Sequence, residues 1–479
     1  MDKKNYQLPS LKLAKVRTRQ PSVIERQDFD LPVQLRQLGE GRYFYIRTYG
    51  CQANERDSET ISGIMSAMGY TQTEEPEQAS VLIFNTCAIR KNAENKVFGE
   101  IGAMKRLKKS DPDRIFALCG CMAQEEDVIE QILNTYRQID IVFGTHNIHR
   151  LPELLYEAIE SHQRVIEVYS KEGEVIENLP VKRFGQYKAW VNIMYGCNKF
   201  CTYCIVPYTR GKERSRMMDD IIAEVKELKE SGYREVTLLG QNVNAYGKDL
   251  GMDDGFALLL EEVAKTGIER IRFSTSHPRD YTSTTIDVMQ KYPNIMPALH
   301  LPVQSGNNEV LKRMGRGYTV EHYKELFDDL KRRIPSITFS TDIIVGFPGE
   351  TREQFEDTLA LVDYCKYDLA YTFVFSPRVG TPAASMEDNM SEEEKKQRLY
   401  ELNEHITRWS NENNQRYLNK VVKVLVDGLS KTNDQVYSGY SEENKLVNFK
   451  ADHVQEGDIV DVLITEVRSY SLNGEAVEK

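Results

Sequence analysis

The sequence predicts an α/β protein: a parallel-sheet N-terminal domain, a partial (β/α) barrel and a small C-terminal β-barrel. Three observations predict it. Short apolar strands alternate with helical stretches from about 43 to 160. The same alternation, over six units, runs from about 185 to 410. After about 413, short strands punctuated by Gly and Asn replace it.

The elements follow in order. Residues 1–42 are polar and moderately basic with no sustained apolar period, which predicts a flexible N-terminal extension. In 43–160, "YFYIRT", "SVLIFN", "DRIFALC" and "IDIVFG" read as buried strands. In 185–412 the strand candidates are "AWVNIMY", "REVTLLG", "RIRFST", "PALHLP", "SITFSTDIIVGF" and "LAYTFVFS". "DDIIAEVKELKESG" carries Ile221, Ile222, Val225 and Leu228 on one helical face, with Gly232 as its stop. Thr351 and Gln354 stand at capping-box spacing. From Ser391 a long helical pattern leads into the tail, 413–479.

Composition narrows the function classes. The chain has 479 residues, 40% hydrophobic and 28% charged, with a net charge of −11. That suits a globular protein with a large core and argues against a wholly basic nucleic-acid glove. The N-terminal segment lacks the apolar core of a signal peptide, and no run approaches a membrane span. The expected compartment is the cytoplasm, where eight cysteines read as metal or redox chemistry before disulfides.

Cys197, Cys201 and Cys204 lie in "CNKFCTYC", directly after the first barrel strand and Gly196. This is the C-terminal mouth of the barrel, where such folds place their chemistry. A structural zinc site needs four protein ligands. No histidine lies between His162 and His277 to supply a local fourth. An iron-sulfur cube held by three thiolates keeps one iron open for a ligand with adjacent amino and carboxylate groups. S-adenosylmethionine is such a ligand.

A second triad is dispersed. Cys51, Cys87 and Cys121 each follow a predicted strand, at intervals of 36 and 34 residues. Parallel strands joined by right-handed crossovers bring such ends to one edge. Cys119 is the rival to Cys121; it falls inside the apolar run, whereas Cys121 follows Gly120, so Cys119 is expected in the core, as is Cys365.

The motifs "YGCQANERDSE", "NTCAIRKNAENKVFG", "CGCMAQ", "GTHNIHRLPEL", "YGCNKFCTYCIVPYTRGKERSR", "LLGQNVNAYG", "HLPVQSG", "TDIIVGFPGET" and "FSPRVGTPAA" span about 43 to 386. Together they resemble the methylthiotransferases of the radical S-adenosylmethionine superfamily, and the tail resembles that family's RNA-binding TRAM domain. The resemblance implies two 4Fe-4S clusters, one per triad, and S-adenosylmethionine as cofactor. It implies methylthiolation of carbon 2 of an adenine beside the tRNA anticodon, with N6-dimethylallyladenosine as the expected acceptor. That C–H bond is beyond acid–base catalysis at neutral pH. Cleavage of S-adenosylmethionine at the barrel cluster yields a radical able to abstract the hydrogen, and the other cluster holds the sulfur that is methylated and transferred. A one-electron donor such as a flavodoxin-like protein and a sulfur source are implied as partners. The alternatives are a sister activity on threonylcarbamoyladenosine or a ribosomal protein, and a non-catalytic iron-sulfur RNA-binding protein.

Further candidates lie outside the triads. Gly240 and Gln241 stand where many enzymes of the superfamily carry Gly-Gly-Glu, and are expected, with Gln304 and Asp342, to bind cofactor. Gly346 and Gly349 either admit the adenine or turn the chain before Thr351. Arg210, Lys212, Arg214 and Arg216 either grip the tRNA backbone or the S-adenosylmethionine carboxylate, or form a solvated loop. Arg378 joins Arg210 and Arg214 as a candidate partner for a carboxylate-bearing substrate. His146 and His149 are expected in core or capping roles. The tail has 8 Lys/Arg against 11 Asp/Glu, a net of −3. RNA affinity there must come from one face, with Lys420, Lys423, Lys445 and Lys450 as cations and Tyr437, Tyr440 or Phe449 for stacking.

Overall fold

The computed structural model describes residues 25–88, 91–168, 174–430 and 433–477. The first sheet is parallel, in the spatial order Thr71–Gln72, Tyr43–Tyr49, Val81–Thr86, Ile115–Gly120, Ile141–Phe143, Val165–Glu167. Its central strands, VLIFNT and IFALCG, are buried throughout, because helices cover both faces of the sheet. Ile61, Ile64 and Met65 of helix Gln52–Ala67 pack on one face with Leu151, Leu154 and Leu155. Val97, Ile129 and Ile132 pack on the other.

Of the expected flexible N-terminal extension, residues 25–42 can be compared with the structure. Its residues 1–24 lie outside the described residues. The remainder is packed: Glu25–Asp28 pairs in parallel with Glu174–Glu177. Leu31 and Leu35 are buried in the core of the first sheet. Two leucines spaced by four residues suffice to anchor a segment that otherwise reads as polar.

Besides a short antiparallel pair, Met194–Tyr195 with Arg214–Ser215, the second α/β region holds six strands in two parallel sheets of three. Lys188–Asn192, Glu235–Leu239 and Arg270–Ser274 form one. Ala298–His300, Thr338–Val345 and Leu369–Val374 form the other. A bridge between Ile271 and Ile295 brings the two together. Among the described residues no ladder joins the first strand to the last, so the barrel is partial. The cap at Thr351 forms as expected, with Gln354 returning the bond.

Helix Glu392–Asn414 leads to the tail, a closed five-stranded barrel. Its strand Leu472–Ala476 is not anticipated from sequence, because LNGEA offers almost no apolar pattern. The tail docks on the N-terminal rim of the large barrel. Arg270 donates to the carbonyls of Tyr440 and Lys423 at 2.9 and 3.0 Å. Arg272 reaches the carbonyl of Ser441 at 2.8 Å, and the Thr338 hydroxyl that of Glu443 at 2.7 Å. The tail therefore closes the end of the barrel opposite the cysteine loop.

Candidate functional site: a cavity lined by Cys51 and the barrel cysteines

Gly196 starts the cysteine loop at φ +73, and a Cβ there would fall 1.9 Å from the Lys212 carbonyl oxygen. Only glycine passes this point, so it sets where Cys197 begins. The Cys197 amide donates to the Gly211 carbonyl at 3.0 Å, and the Thr202 amide to that of Met314 at 2.9 Å. The loop is thus tied at both ends. Cys197, Cys201 and Cys204 line one cavity of about 1500 Å³. Burial pushes the Cys204 thiol up to about 12 and the Cys197 thiol well above its ordinary value. Bare thiolates are disfavoured there; a group that brings positive irons removes that penalty. Arg316 donates to Cys201 Sγ at 3.4 Å, a charge-assisted contact that orients this sulfur.

The dispersed triad converges as strand order dictates. The three strands preceding Cys51, Cys87 and Cys121 are immediate neighbours in the sheet. Gly50, at φ +148, has no room for a side chain, since a Cβ would sit 2.6 Å from Cys87 Cβ. A hydrogen bond with Cys87 holds the Cys51 thiol down to about 5, burial opposing it and Arg210 assisting. Cys121 is buried, and its Sγ accepts from Arg210 Nε at 3.2 Å. Arg210 also binds Asp57 at 2.7 Å. Cys51 lines the same cavity as the barrel cysteines. Among the described residues no three His, Cys, Asp or Glu side chains close around a single ion. A cube presents its irons at separate corners, so its thiolates stand farther apart than around one ion. Both triads suit such a group.

Three family models match the chain: the radical SAM superfamily over residues 191–362, the uncharacterized protein family UPF0004 over 43–144, and the TRAM domain over 415–477. A tRNA-2-methylthio-N(6)-dimethylallyladenosine synthase of Bacillus cytotoxicus is 56% identical over 475 residues, covering 99% of this chain and 93% of its own length. One from Bacillus mycoides is 55% identical with the same coverage. The chain belongs to the tRNA-2-methylthio-N(6)-dimethylallyladenosine synthase family. Among solved structures, the radical S-adenosylmethionine methyltransferase TsrM of Kitasatospora setae is similar in fold, with a TM-score of 0.53 and 14% identity. That match covers 72% of this chain and 75% of TsrM.

In this methylthiotransferase Gly240, Gln241, Gln304 and Asp342 all line the cavity. A Cβ at Gly240 would meet Met194 Cγ at 2.7 Å, so the strand end packs close to the cysteine loop. Gln304 adopts φ +73, and its amide donates to the Asp342 carbonyl at 2.8 Å. The Asp342 carboxylate lies 3.5 Å from His300 Nε2. Gly346 and Gly349 instead meet Lys395 and Arg313, and they turn the chain before Thr351.

The basic segment after the loop departs from two of the readings offered for it; a grip on the S-adenosylmethionine carboxylate still fits Arg210 and Arg214, which line the cavity. Arg210, Lys212, Arg214 and Arg216 are all buried. They are neither a solvated loop nor a surface for the RNA backbone. Arg216 pairs with Glu177 at 3.0 Å and Glu224 at 2.6 Å. Arg214 Nη1 lies 3.5 Å from His146 Nδ1, and His146 and His149 line the cavity. Arg378 is buried on the same cavity. Cys119 and Cys365 sit in hydrophobic cores.

The tail residues divide similarly. Lys445 is buried and pairs with Asp368 at 2.9 Å, so it fastens the tail to the barrel and is no part of an RNA face. Phe449 is buried in the tail's own core, stacked on Tyr437 at 6.0 Å, and offers no face to a base. Tyr440 lines the cavity beneath Lys188. Lys420, Lys423 and Lys450 are exposed. Sequence reasoning missed Arg316, His300, Ser276 and His277. The signal was present in "STSHP": polar residues directly after the third barrel strand, at the edge already singled out for cysteines.

Proposed function

We propose that this protein replaces the hydrogen on carbon 2 of N6-dimethylallyladenosine, at position 37 of tRNA, by a methylthio group. It is a radical S-adenosylmethionine enzyme that uses two 4Fe-4S clusters. Cys197, Cys201 and Cys204 hold one and Cys51, Cys87 and Cys121 the other, while Gly240, Gln241, Gln304 and Asp342 contact S-adenosylmethionine. Residues 43–160, 185–412 and 413–479 are the first cluster domain, the radical domain and the RNA-binding domain. When bound, these cofactors supply hydrogen abstraction and a transferable sulfur.

The chain's own residues supply placement. Gly50 and Gly196 let the cysteine backbones approach. Arg210 and Arg316 orient one sulfur in each triad. The docked tail seals the far end of the barrel, which restricts water. The observation that most supports the reading is that Cys51 and the three barrel cysteines line one cavity. Hydrogen abstraction and sulfur delivery then need no transit of an intermediate through solvent. An electron donor of flavodoxin type, a separate sulfur source and a cytoplasmic location complete the proposal. Among the described residues no helix is long and apolar enough to cross a membrane.

Nucleoside mass spectrometry of tRNA from a deletion strain tests the function. The 2-methylthio nucleoside should vanish and its dimethylallyladenosine precursor accumulate. An unchanged nucleoside profile would refute it.

A further inference from the structure

His277 follows the third barrel strand, is only 5% exposed and lines the main cavity. Its Nδ1 accepts from the Arg279 amide at 3.3 Å. That bond requires Nδ1 without a proton, so the neutral ring carries its proton on Nε2. Burial, with the charges of Arg316 and Lys199 adding to it, holds the ring neutral, its pKa down at about 2. Among the described residues Nε2 is buried and has no hydrogen-bond partner, and the same holds for the adjacent Ser276 Oγ, also on the cavity wall. A buried donor left unmet costs about 1–3 kcal/mol, so two neighbours unmet at one wall mark a place for a ligand.

The location selects the ligand. The His277 ring packs edge-on to Tyr318, whose hydroxyl accepts from Arg316 Nε at 3.2 Å. Arg316 in turn donates to Cys201 Sγ. Lys199, between two of the loop cysteines, is paired with Asp280, three residues beyond His277. The two donors therefore stand beside the cysteine loop, deep in the barrel mouth.

We infer that His277 and Ser276 are cofactor-binding residues that donate hydrogen bonds to an oxygen of S-adenosylmethionine. This rests on the reading of the 197–204 loop as the radical cluster site. Neither group transfers a proton; Nε2–H serves as a fixed neutral donor that orients the cofactor toward the loop.

The test uses cluster-reconstituted full-length protein and labelled S-adenosylmethionine in equilibrium dialysis, with iron content and tRNA affinity measured alongside. His277→Phe should weaken cofactor binding about tenfold, the worth of one buried hydrogen bond. His277→Gln, which keeps a donor near the same place, should recover most of it. Iron content and tRNA affinity should match the parent protein. Unchanged cofactor affinity in His277→Phe, or weakened tRNA binding at unchanged cofactor affinity, overturns the inference. Should the Phe variant lose iron, Ser276→Ala decides: about threefold weaker binding supports the inference and parental binding overturns it. Failure of the underlying site reading shows separately, as Cys204→Ala protein that keeps the parental iron content.

Discussion

Arg210 Nε lies 3.2 Å from Cys121 Sγ and joins the loop that follows the barrel cysteines to the triad of the first domain. The same guanidinium holds Asp57 at 2.7 Å. A cation that hydrogen-bonds a cluster thiolate stabilises the reduced, more negative cluster and raises its potential. Arg210→Met should therefore keep iron but lower the midpoint potential of one cluster, leaving the other unchanged. Redox titration followed by electron paramagnetic resonance checks this. Loss of half the iron would instead assign Arg210 a purely structural part.

The triads should divide the work. Cys197→Ala, Cys201→Ala or Cys204→Ala should abolish cleavage of S-adenosylmethionine. Cys51→Ala, Cys87→Ala or Cys121→Ala should spare it and stop methylthio transfer. A 5′-deoxyadenosine assay run beside nucleoside analysis separates the two. Methylthiolated tRNA from a first-domain variant would contradict the scheme.

Cys119 and Cys121 offer a sharper contrast. Cys119 sits in the apolar core, and burial pushes its thiol well above the ordinary value. Cys119→Ser should retain both clusters, whereas Cys121→Ser should lose one. Iron counts reversed between the two would reassign the ligand.

Glu224 on helix Met218–Glu230 is held by Arg216 at 2.6 Å, by Arg56 at 3.5 Å, and by Arg183. Arg56 belongs to helix Gln52–Ala67 of the first domain, so the network fixes one triad relative to the other. Burial would raise this carboxyl, but Arg216, then Arg56 and Arg183, outweigh it and bring it to about 2. A lowered acid pKa gives stability that is complete above the unfolded value of 4.5 and lost as pH falls toward 2. Glu224→Ala should cost about 3–5 kcal/mol at neutral pH, because buried guanidinium groups lose their partner. It should also flatten the acid limb between those pH values. Denaturant unfolding across pH measures both, and a parental acid limb in the variant would exclude the network as its source.

Sequence made the cysteines legible because strand ends are marked by turn residues, and parallel topology turns marked positions into neighbours. It made the arginines of "RGKERSR" illegible. A run of charges looks solvated until the acids that bury it arrive from elsewhere, here Asp57, Glu177 and Glu224. Docking of the tail was hidden for the same reason. Arg270 and Arg272 read as strand residues, and their acceptors are backbone carbonyls more than 150 residues away. His277 was hidden because a lone histidine shows its tautomer only once the Arg279 amide is placed.

That docking alters what truncation should do. Ending the chain near Asn419 should weaken tRNA binding in a salt-dependent way. It should also lower the barrel's melting temperature, since Arg270 and Lys445–Asp368 lose partners. Thermal unfolding and a salt titration of tRNA affinity read the two effects; a parental melting temperature would show that the barrel stands without its cap.

The most direct measurement incubates reduced, cluster-loaded protein and S-adenosylmethionine with three tRNAs, carrying adenosine, N6-dimethylallyladenosine or N6-threonylcarbamoyladenosine beside the anticodon. Burial of the five-carbon prenyl group favours the second by about 0.8 kcal/mol per carbon enclosed. Nucleoside mass spectrometry should find one methylthio group in place of hydrogen on the prenylated adenosine alone. Preferential turnover of the threonylcarbamoylated tRNA, or no methylthio product from any of the three, would contradict the account.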